Sequence, residues 1–181
     1  MSKKINIILD LDNTLINSLT FKELKNISKN REKKFTYIDM DKSYRVFLRP
    51  HLQEFLDYLF DNFTVSVYTA ASSAYASFII ENIILSKPNR KLDLVLFSYH
   101  CSYSRKYHKC TKDIRMLWNE LKLKGYFSDN TWIVDDLPEI YNTIPKHTIK
   151  AKYFDVLESN SENDTFLLDT IEKLKDIKRK I

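Results

Sequence analysis

The sequence predicts an α/β protein built on a parallel β-sheet, and three observations carry that expectation. Short apolar runs alternate along the chain with segments whose apolar residues fall at helical spacing, the pattern of strand–helix–strand units. The first run, Ile5 to Leu9, is short and β-branched and has no polar alternation, so it reads as a strand buried on both faces. Two runs end in closely spaced carboxylates, Asp10 and Asp12 after the first and Asp135-Asp136 after a later one. In open parallel sheets, ligands bind beyond the carboxyl ends of the strands.

Side chains alternate along a strand, so Asp10 and Asp12 point the same way just past the first one. Residues 16–33 are polar and read as irregular. Phe35–Ile38 and Tyr44–Leu48 are β-type runs joined by Met40-Asp41-Lys42-Ser43, a hairpin. Arg49-Pro50 punctuates the chain before Leu52, Phe55, Leu56, Leu59 and Phe60, which form the apolar stripe of a helix. Phe63–Tyr68 is the next strand and ends at Thr69; Ser72 or Ser73 caps a helix carrying Tyr75, Phe78, Ile79 and Ile83. Leu92–Phe97 is a third strand. Residues 98–110, rich in Tyr, Ser, His and Cys, read as a second β excursion. Thr111 caps a helix with Ile114, Leu117, Trp118 and Leu121 on one face, closed near Gly125. Thr131–Val134 and Thr148–Phe154 are the last strands, with a short helix from Pro138 between them. A final helix starts at Asn163 or Asp164 and carries Leu167, Leu168, Ile171, Leu174 and Ile177. No repeat or low-complexity linker divides residues 1–181, so a single domain is expected.

The chain has 181 residues, of which 44% are hydrophobic and 29% charged, ordinary for a globular protein with a full core. Lys and Arg number 29 against 24 Asp and Glu, a net charge of +5 that favours an anionic partner. The basic clusters Lys3-Lys4 and Lys173 to Lys180 are too short to argue for nucleic acid. No apolar run approaches the ~20 residues of a membrane span. Cys101 and Cys110 give no disulfide framework, and an intracellular, reducing compartment is expected. With Gly125 the only glycine, Asn is expected to take left-handed turn positions.

The sheet brings Asp10, Asp12, Thr69, Asp135 and Asp136 to one edge. Four carboxylates there repel one another unless a cation sits among them, and Mg²⁺ suits oxygen ligands. The competing reading is four solvated Asp at loop starts. Lys112 follows the expected cap Thr111, in a first turn where a cation opposes the helix dipole. Either a substrate phosphate compensates it, or Lys112 stands in water with Asp113 as the first-turn acid. The Thr69 hydroxyl and the amides of Ala70 and Ala71 are candidate phosphate donors.

The ordered motifs DLDNTL, LRPHLQEFLDYL, VYTAAS, TKDI and IVDDLPEIY resemble the haloacid-dehalogenase (HAD) phosphatases, and more narrowly the small phosphatases of the RNA polymerase II C-terminal domain (CTD). The resemblance runs from Ile5 to about Leu174. It implies a HAD-like, Rossmannoid sheet with a β-hairpin flap at about 16–48 and a small β insertion at about 98–110, before the lysine motif. It also implies Mg²⁺-dependent hydrolysis of phosphoserine or phosphothreonine through an aspartyl-phosphate. Placed residue by residue, Asp10 is the nucleophile and Asp12 the acid and base, its carbonyl also on Mg²⁺. Thr69 and Lys112 hold the phosphate, Asp136 binds the metal, and Asp135 assists through water or by orienting Lys112. A phosphorylated protein, the CTD among the candidates, is the implied partner, in nucleus or cytoplasm or as a viral protein in a host cell.

Two departures stand out. Asn13 replaces a frequent Glu, and Ser98-Tyr99 follows Leu96-Phe97 where the CTD phosphatases carry an Arg for the substrate phosphoserine. Arg105, with Tyr103, is the candidate for that contact. The alternatives are a small-molecule or nucleic-acid phosphate as substrate, or a catalytically silent scaffold. His100, Cys101, His108 and Cys110 have zinc-ligand chemistry, but His100 and Cys101 would face opposite sides of a strand and no CxxC occurs, so ordinary hairpin residues are expected. Tyr99, Tyr103 and Tyr107 recur every four residues, which fits no strand period. They read equally as groove lining or as packing.

Overall fold

The structure, a computed structural model, describes residues 4–180; Lys3 of the first basic cluster lies outside the described residues. In chain order it runs β1 (Asn6–Leu9), β2 (Ile16–Thr20), α1 (Lys29–Glu32), β3 (Tyr37–Met40), β4 (Tyr44–Leu48), α2 (Leu52–Asn62), β5 (Thr64–Tyr68) and α3 (Ser73–Ile79). α3 continues into a π-helical turn, Ile80–Ile84. Then follow β6 (Val95–Leu96), α4 (Ser98–His108), α5 (Met116–Asn119), β7 (Thr131–Asp135), α6 (Pro138–Thr143), β8 (Thr148–Lys150) and α7 (Phe166–Lys180).

The five strands β6-β5-β1-β7-β8 form a parallel sheet with β1 at its centre. Alternation decides what each strand residue meets. Ile7 and Leu9, Val65 and Val67, and Val134 face one core, with Leu52, Phe55, Leu56 and Leu59 of α2, Ile79 of α3 and Leu167, Ile171 and Leu174 of α7. Ile8, Tyr68 and Ile133 face the other, with Cys101, Met116, Leu117 and Ile140 from α4, α5 and α6. Each fully buried Leu, Ile or Phe contributes roughly 1.5–3 kcal/mol relative to exposure, so the two cores fix the layers firmly.

Residues 16–33 differ from expectation: Ile16–Thr20 is a strand, paired antiparallel with β4 along its whole length. Local sequence is polar there, but Leu19 reaches a third small core with Ile27, Phe35, Phe47, Phe154 and Val156. The resulting sheet β2-β4-β3 contains the expected hairpin, whose turn residue Asp41 has φ 49°. The expectation that Asn replaces Gly at left-handed positions holds at Asn13 (φ 60°) and Asn160 (φ 68°).

Other elements differ too. Residues 98–110 are not a β insertion: Ser98–His108 is a helix. Its buried residues, Cys101 and Ser104, stand three apart, and the four-residue spacing of Tyr99, Tyr103 and Tyr107 is helical. Thr111 does not cap a long helix either. The only helix there is α5, Met116–Asn119, and Gly125 (φ 94°) lies in the turn beyond it. The strands at Leu92–Phe97 and Thr148–Phe154 shrink to β6 and β8, and the last helix begins at Phe166.

Candidate active site

Leu9 pairs with Val134, so Asp10 and Asp135 emerge side by side at the carboxyl edge of the sheet. The Asp10 amide donates to the Val134 carbonyl at 3.0 Å, which holds that level. The chain then folds back at once: the Leu15 and Ile16 amides both donate to the Leu11 carbonyl, at 2.8 and 3.1 Å. Asn13 makes that turn possible, because its φ of 60° suits Asn better than a β-branched or larger residue. Its side-chain amide also donates to the Phe154 carbonyl at 3.1 Å. The departure at position 13 thus has a local structural use.

Arg49 fixes the loop from behind. It is 1% exposed, donates to the carbonyls of Thr14 and Lys152 at 2.8 Å each, and forks onto Asp164 at 2.8 and 3.0 Å. The rings of Phe166 and Phe154 lie 4.4 and 5.3 Å from its guanidinium.

Lys112 supplies the positive charge. Its ammonium lies 2.5 Å from Asp10 Oδ1 and 2.8 Å from Asp135 Oδ2, with the side chain 1% exposed. It is not in the first turn of a helix, as the sequence suggests. Thr111-Lys112-Asp113 is a turn braced on both sides: Glu139 accepts from the Thr111 amide at 3.0 Å, and Ser104 Oγ accepts from the Asp113 amide at 2.9 Å. Asp113 is no solvated first-turn acid; it is buried and chelates Arg115. No helix dipole acts on Lys112, and the two carboxylates balance it instead. Burial alone would pull its pKa down, but Asp10 and Asp135 more than reverse that, so Lys112 stays an ammonium.

The remaining carboxyls carry excess negative charge. Burial raises Asp135 and Asp136 above the usual carboxylate range, and the nearby charge of Asp10 adds to it. Burial also raises Asp12, against the opposing hydrogen bond from Tyr75. Four carboxyls against one ammonium leave an excess of negative charge in a confined site as they ionise. One oxygen each of Asp10, Asp135 and Asp136 lies within 4.8 Å of the others, the one such group among the described residues. A hard divalent cation taking oxygen ligands fits both the charge and the donor set.

Thr69 follows β5, on the strand next to β1, and is 1% exposed. Its Oγ1 accepts from the Ala71 amide at 3.1 Å. The structure therefore gathers Asp10, Lys112, Asp135 and Asp136 around one point, with Asp12 and Thr69 on the flanking loops. Arg105 and Tyr103 lie on α4: Arg105 Nε donates at 3.1 Å to Oγ1 of Thr111, the residue before Lys112, and the Tyr103 ring lies tilted against Tyr107 with centroids 4.5 Å apart. The four His and Cys residues go to separate partners. His100 accepts from the Phe97 amide, Cys101 donates to the Thr69 carbonyl, His108 meets Glu120, and Cys110 is buried in the core.

Sequence reasoning missed Thr14, whose hydroxyl donates to Asp136 Oδ1 at 3.0 Å, although Thr14 completes the Asp-x-Asp-x-Thr pattern. It also missed Tyr75, which donates to Asp12 Oδ1 at 2.6 Å. Nothing in the helical pattern around Tyr75 marks its partner, 63 residues away. Beside Tyr75 and Asp12 a cleft of about 470 Å³ opens between the three-stranded sheet and α3, lined by Asp12, Ser18, Met40, Tyr44, Ala71 and Tyr75.

Residues 5–181 match the family model of the NLI interacting factor-like phosphatases. The chain is 44% identical over 178 residues to CTD phosphatase-like protein 355R of Invertebrate iridescent virus 6, covering 95% of this chain and 96% of that one. Against the protein of the same name in Invertebrate iridescent virus 3 it is 42% identical over 186 residues, covering 98% of each. Among solved structures, a variant of the fission yeast RNA polymerase II CTD phosphatase Fcp1 bound to beryllium fluoride superposes with a TM-score of 0.59 at 18% identity. That match covers 97% of this chain but 53% of the Fcp1 chain, so this protein spans about half of it, and the likeness speaks for the α/β fold. The family match along nearly the whole chain, with two relatives above 40% identity, shows that this protein belongs to the NLI interacting factor-like phosphatase family.

Proposed function

We propose that this protein is a Mg²⁺-dependent phosphoprotein phosphatase acting on phosphoserine or phosphothreonine through an aspartyl-phosphate on Asp10. The observation that carries the reading is the buried ammonium of Lys112 between Asp10 and Asp135, with Asp136 completing a group of three carboxylates. Lys112 holds one oxygen of Asp10 and so orients the other for attack on phosphorus. Asp12 protonates the leaving oxygen, then takes a proton from the water that hydrolyses the aspartyl-phosphate. Lys112 and Thr69 bind phosphoryl oxygens, and Asp135 orients Lys112. Asp10, Asp136 and the Asp12 carbonyl would hold Mg²⁺, with Asp135 assisting. Mg²⁺ bound there supplies charge that offsets the phosphoryl oxygens.

The open cleft beside Asp12 supports a peptide rather than an enclosed metabolite. Arg105 and Tyr103, on α4, are the proposed contacts for residues flanking the phosphate. The relatives' CTD phosphatase-like names make the RNA polymerase II CTD, in nucleus or cytoplasm, the first substrate to try. Ser98, in place of an Arg, favours keeping small-molecule and nucleic-acid phosphates as the second reading.

The test is hydrolysis of p-nitrophenyl phosphate with and without Mg²⁺ by wild type and Asp10→Asn. The expected result is Mg²⁺-dependent turnover that Asp10→Asn abolishes; equal rates for the two proteins refute the reading. A panel of phosphopeptides, nucleotides and phosphorylated DNA ends then separates the substrate classes.

A further inference from the structure

We infer that Tyr75 is a positioning residue for Asp12, and that Ser18 ties this pair to the three-stranded sheet. Tyr75 has one hydroxyl proton, and it goes to Asp12 Oδ1 at 2.6 Å. The 2.5 Å contact between Tyr75 and Ser18 must then use the serine proton, so Ser18 donates to Tyr75. The chain Ser18–Tyr75–Asp12 has a fixed direction. It ties the first turn of α3 to two neighbouring stretches far earlier in the chain, the loop after β1 and β2, 63 and 57 residues away.

The ring itself is held. Ser72 caps α3 by accepting from the Tyr75 amide at 3.4 Å. The Tyr44 ring meets Tyr75 edge-on, with centroids 5.8 Å apart. A carboxyl turns freely about its last torsion, so a half-buried Asp12 without this bond would spread over several orientations. With Oδ1 tied to Tyr75, Oδ2 is the oxygen left for the reacting groups.

The inference rests on the reading of Asp12 as proton donor. As the bond from Asp10 to phosphorus forms and the ester P–O bond breaks, the proton leaves Asp12 for the departing oxygen. Asp12 becomes a carboxylate, and the Tyr75 hydrogen bond to it becomes charge-assisted and stronger. The contribution therefore grows toward the transition state, where it accelerates the reaction.

The experiment compares phenyl phosphate with p-nitrophenyl phosphate at saturating Mg²⁺. Phenol is a far poorer leaving group and depends on protonation; p-nitrophenol scarcely does. kcat/KM reports the steps up to its departure. General acid catalysis contributes about 10²–10⁴-fold, so Tyr75→Phe, which mispositions the acid without removing it, should lower kcat/KM on phenyl phosphate about tenfold more than on p-nitrophenyl phosphate. Ser18→Ala should act in the same direction and less, Asp12→Asn in the same direction and more. Equal losses on both substrates with Tyr75→Phe, or a rise in KM alone, overturn the inference and leave Tyr75 as cleft lining. If Asp12→Asn itself shows no leaving-group dependence, the role of Asp12 fails first; if it shows the dependence and Tyr75→Phe does not, only the positioning role fails.

Discussion

Replacing Lys112 with Met tests the electrostatic arrangement of the site separately from its chemistry. Met keeps most of the length and apolar stem and removes the ammonium. Lys112 is 1% exposed and its two partners are 5% and 0% exposed, so no water enters to compensate. Breaking a buried ion pair by deleting one partner costs about 3–5 kcal/mol, because the other charge stays buried and unpaired. Here two carboxylates are stranded, next to Asp136. For a chain of this size about 1 kcal/mol shifts Tm by roughly 2–4 °C, so the expected fall is about 6–20 °C in metal-free buffer. Asp135→Asn in the same chain removes one stranded charge and should restore part of the loss, a non-additivity expected of direct contacts. Mg²⁺ should raise Tm by mass action, about 2.7 kcal/mol at a hundredfold excess over Kd. The assay is thermal unfolding of wild type, the single variant and the double variant, each with EDTA and with Mg²⁺. A loss below about 1 kcal/mol for Lys112→Met, or a double variant no more stable than the single, refutes the reasoning.

Thr14→Val deletes the hydroxyl that orients Asp136 and should weaken Mg²⁺ binding about 10–100-fold, as losing a partner of a metal ligand does elsewhere; the Mg²⁺ dependence of turnover at fixed substrate measures it. Asp164 reports on acid stability. Burial raises its pKa, but the hydrogen bonds and charge of Arg49 outweigh burial and hold it below the usual value. A depressed folded pKa gives stability that is fully present above the unfolded pKa of about 3.9 and is lost as pH falls through the folded pKa. Asp164→Asn should therefore be less stable than wild type at pH 7, and the gap should close below about pH 4 in urea titrations. A gap that stays constant with pH contradicts the ion-pair account.

Much of this protein was legible one residue at a time. A buried β-branched run followed by Asp10 and Asp12, and a second run followed by Asp135 and Asp136, are local signals, because strand alternation and the carboxyl-edge rule act on neighbours in sequence. The stripes on α2 and α7 are equally local, since a helix writes its buried face at fixed spacing. Long-range partners were not legible. β2 is polar in sequence and becomes a strand because β4 pairs with it and Leu19 finds a core. Residues 98–108 have strand-like composition and fold as a helix because Cys101 and Ser104 are buried against the sheet and the following turn. Lys112 was recognised by its motif, but its burial between two carboxylates, and the Tyr75 hydroxyl on Asp12, exist only once the strands bring distant loops together. Sequence thus determined which candidate groups reach the carboxyl edge of the sheet; tertiary packing decided their charge balance and orientation, because burial and hydrogen-bond geometry are properties of neighbours in space rather than along the chain.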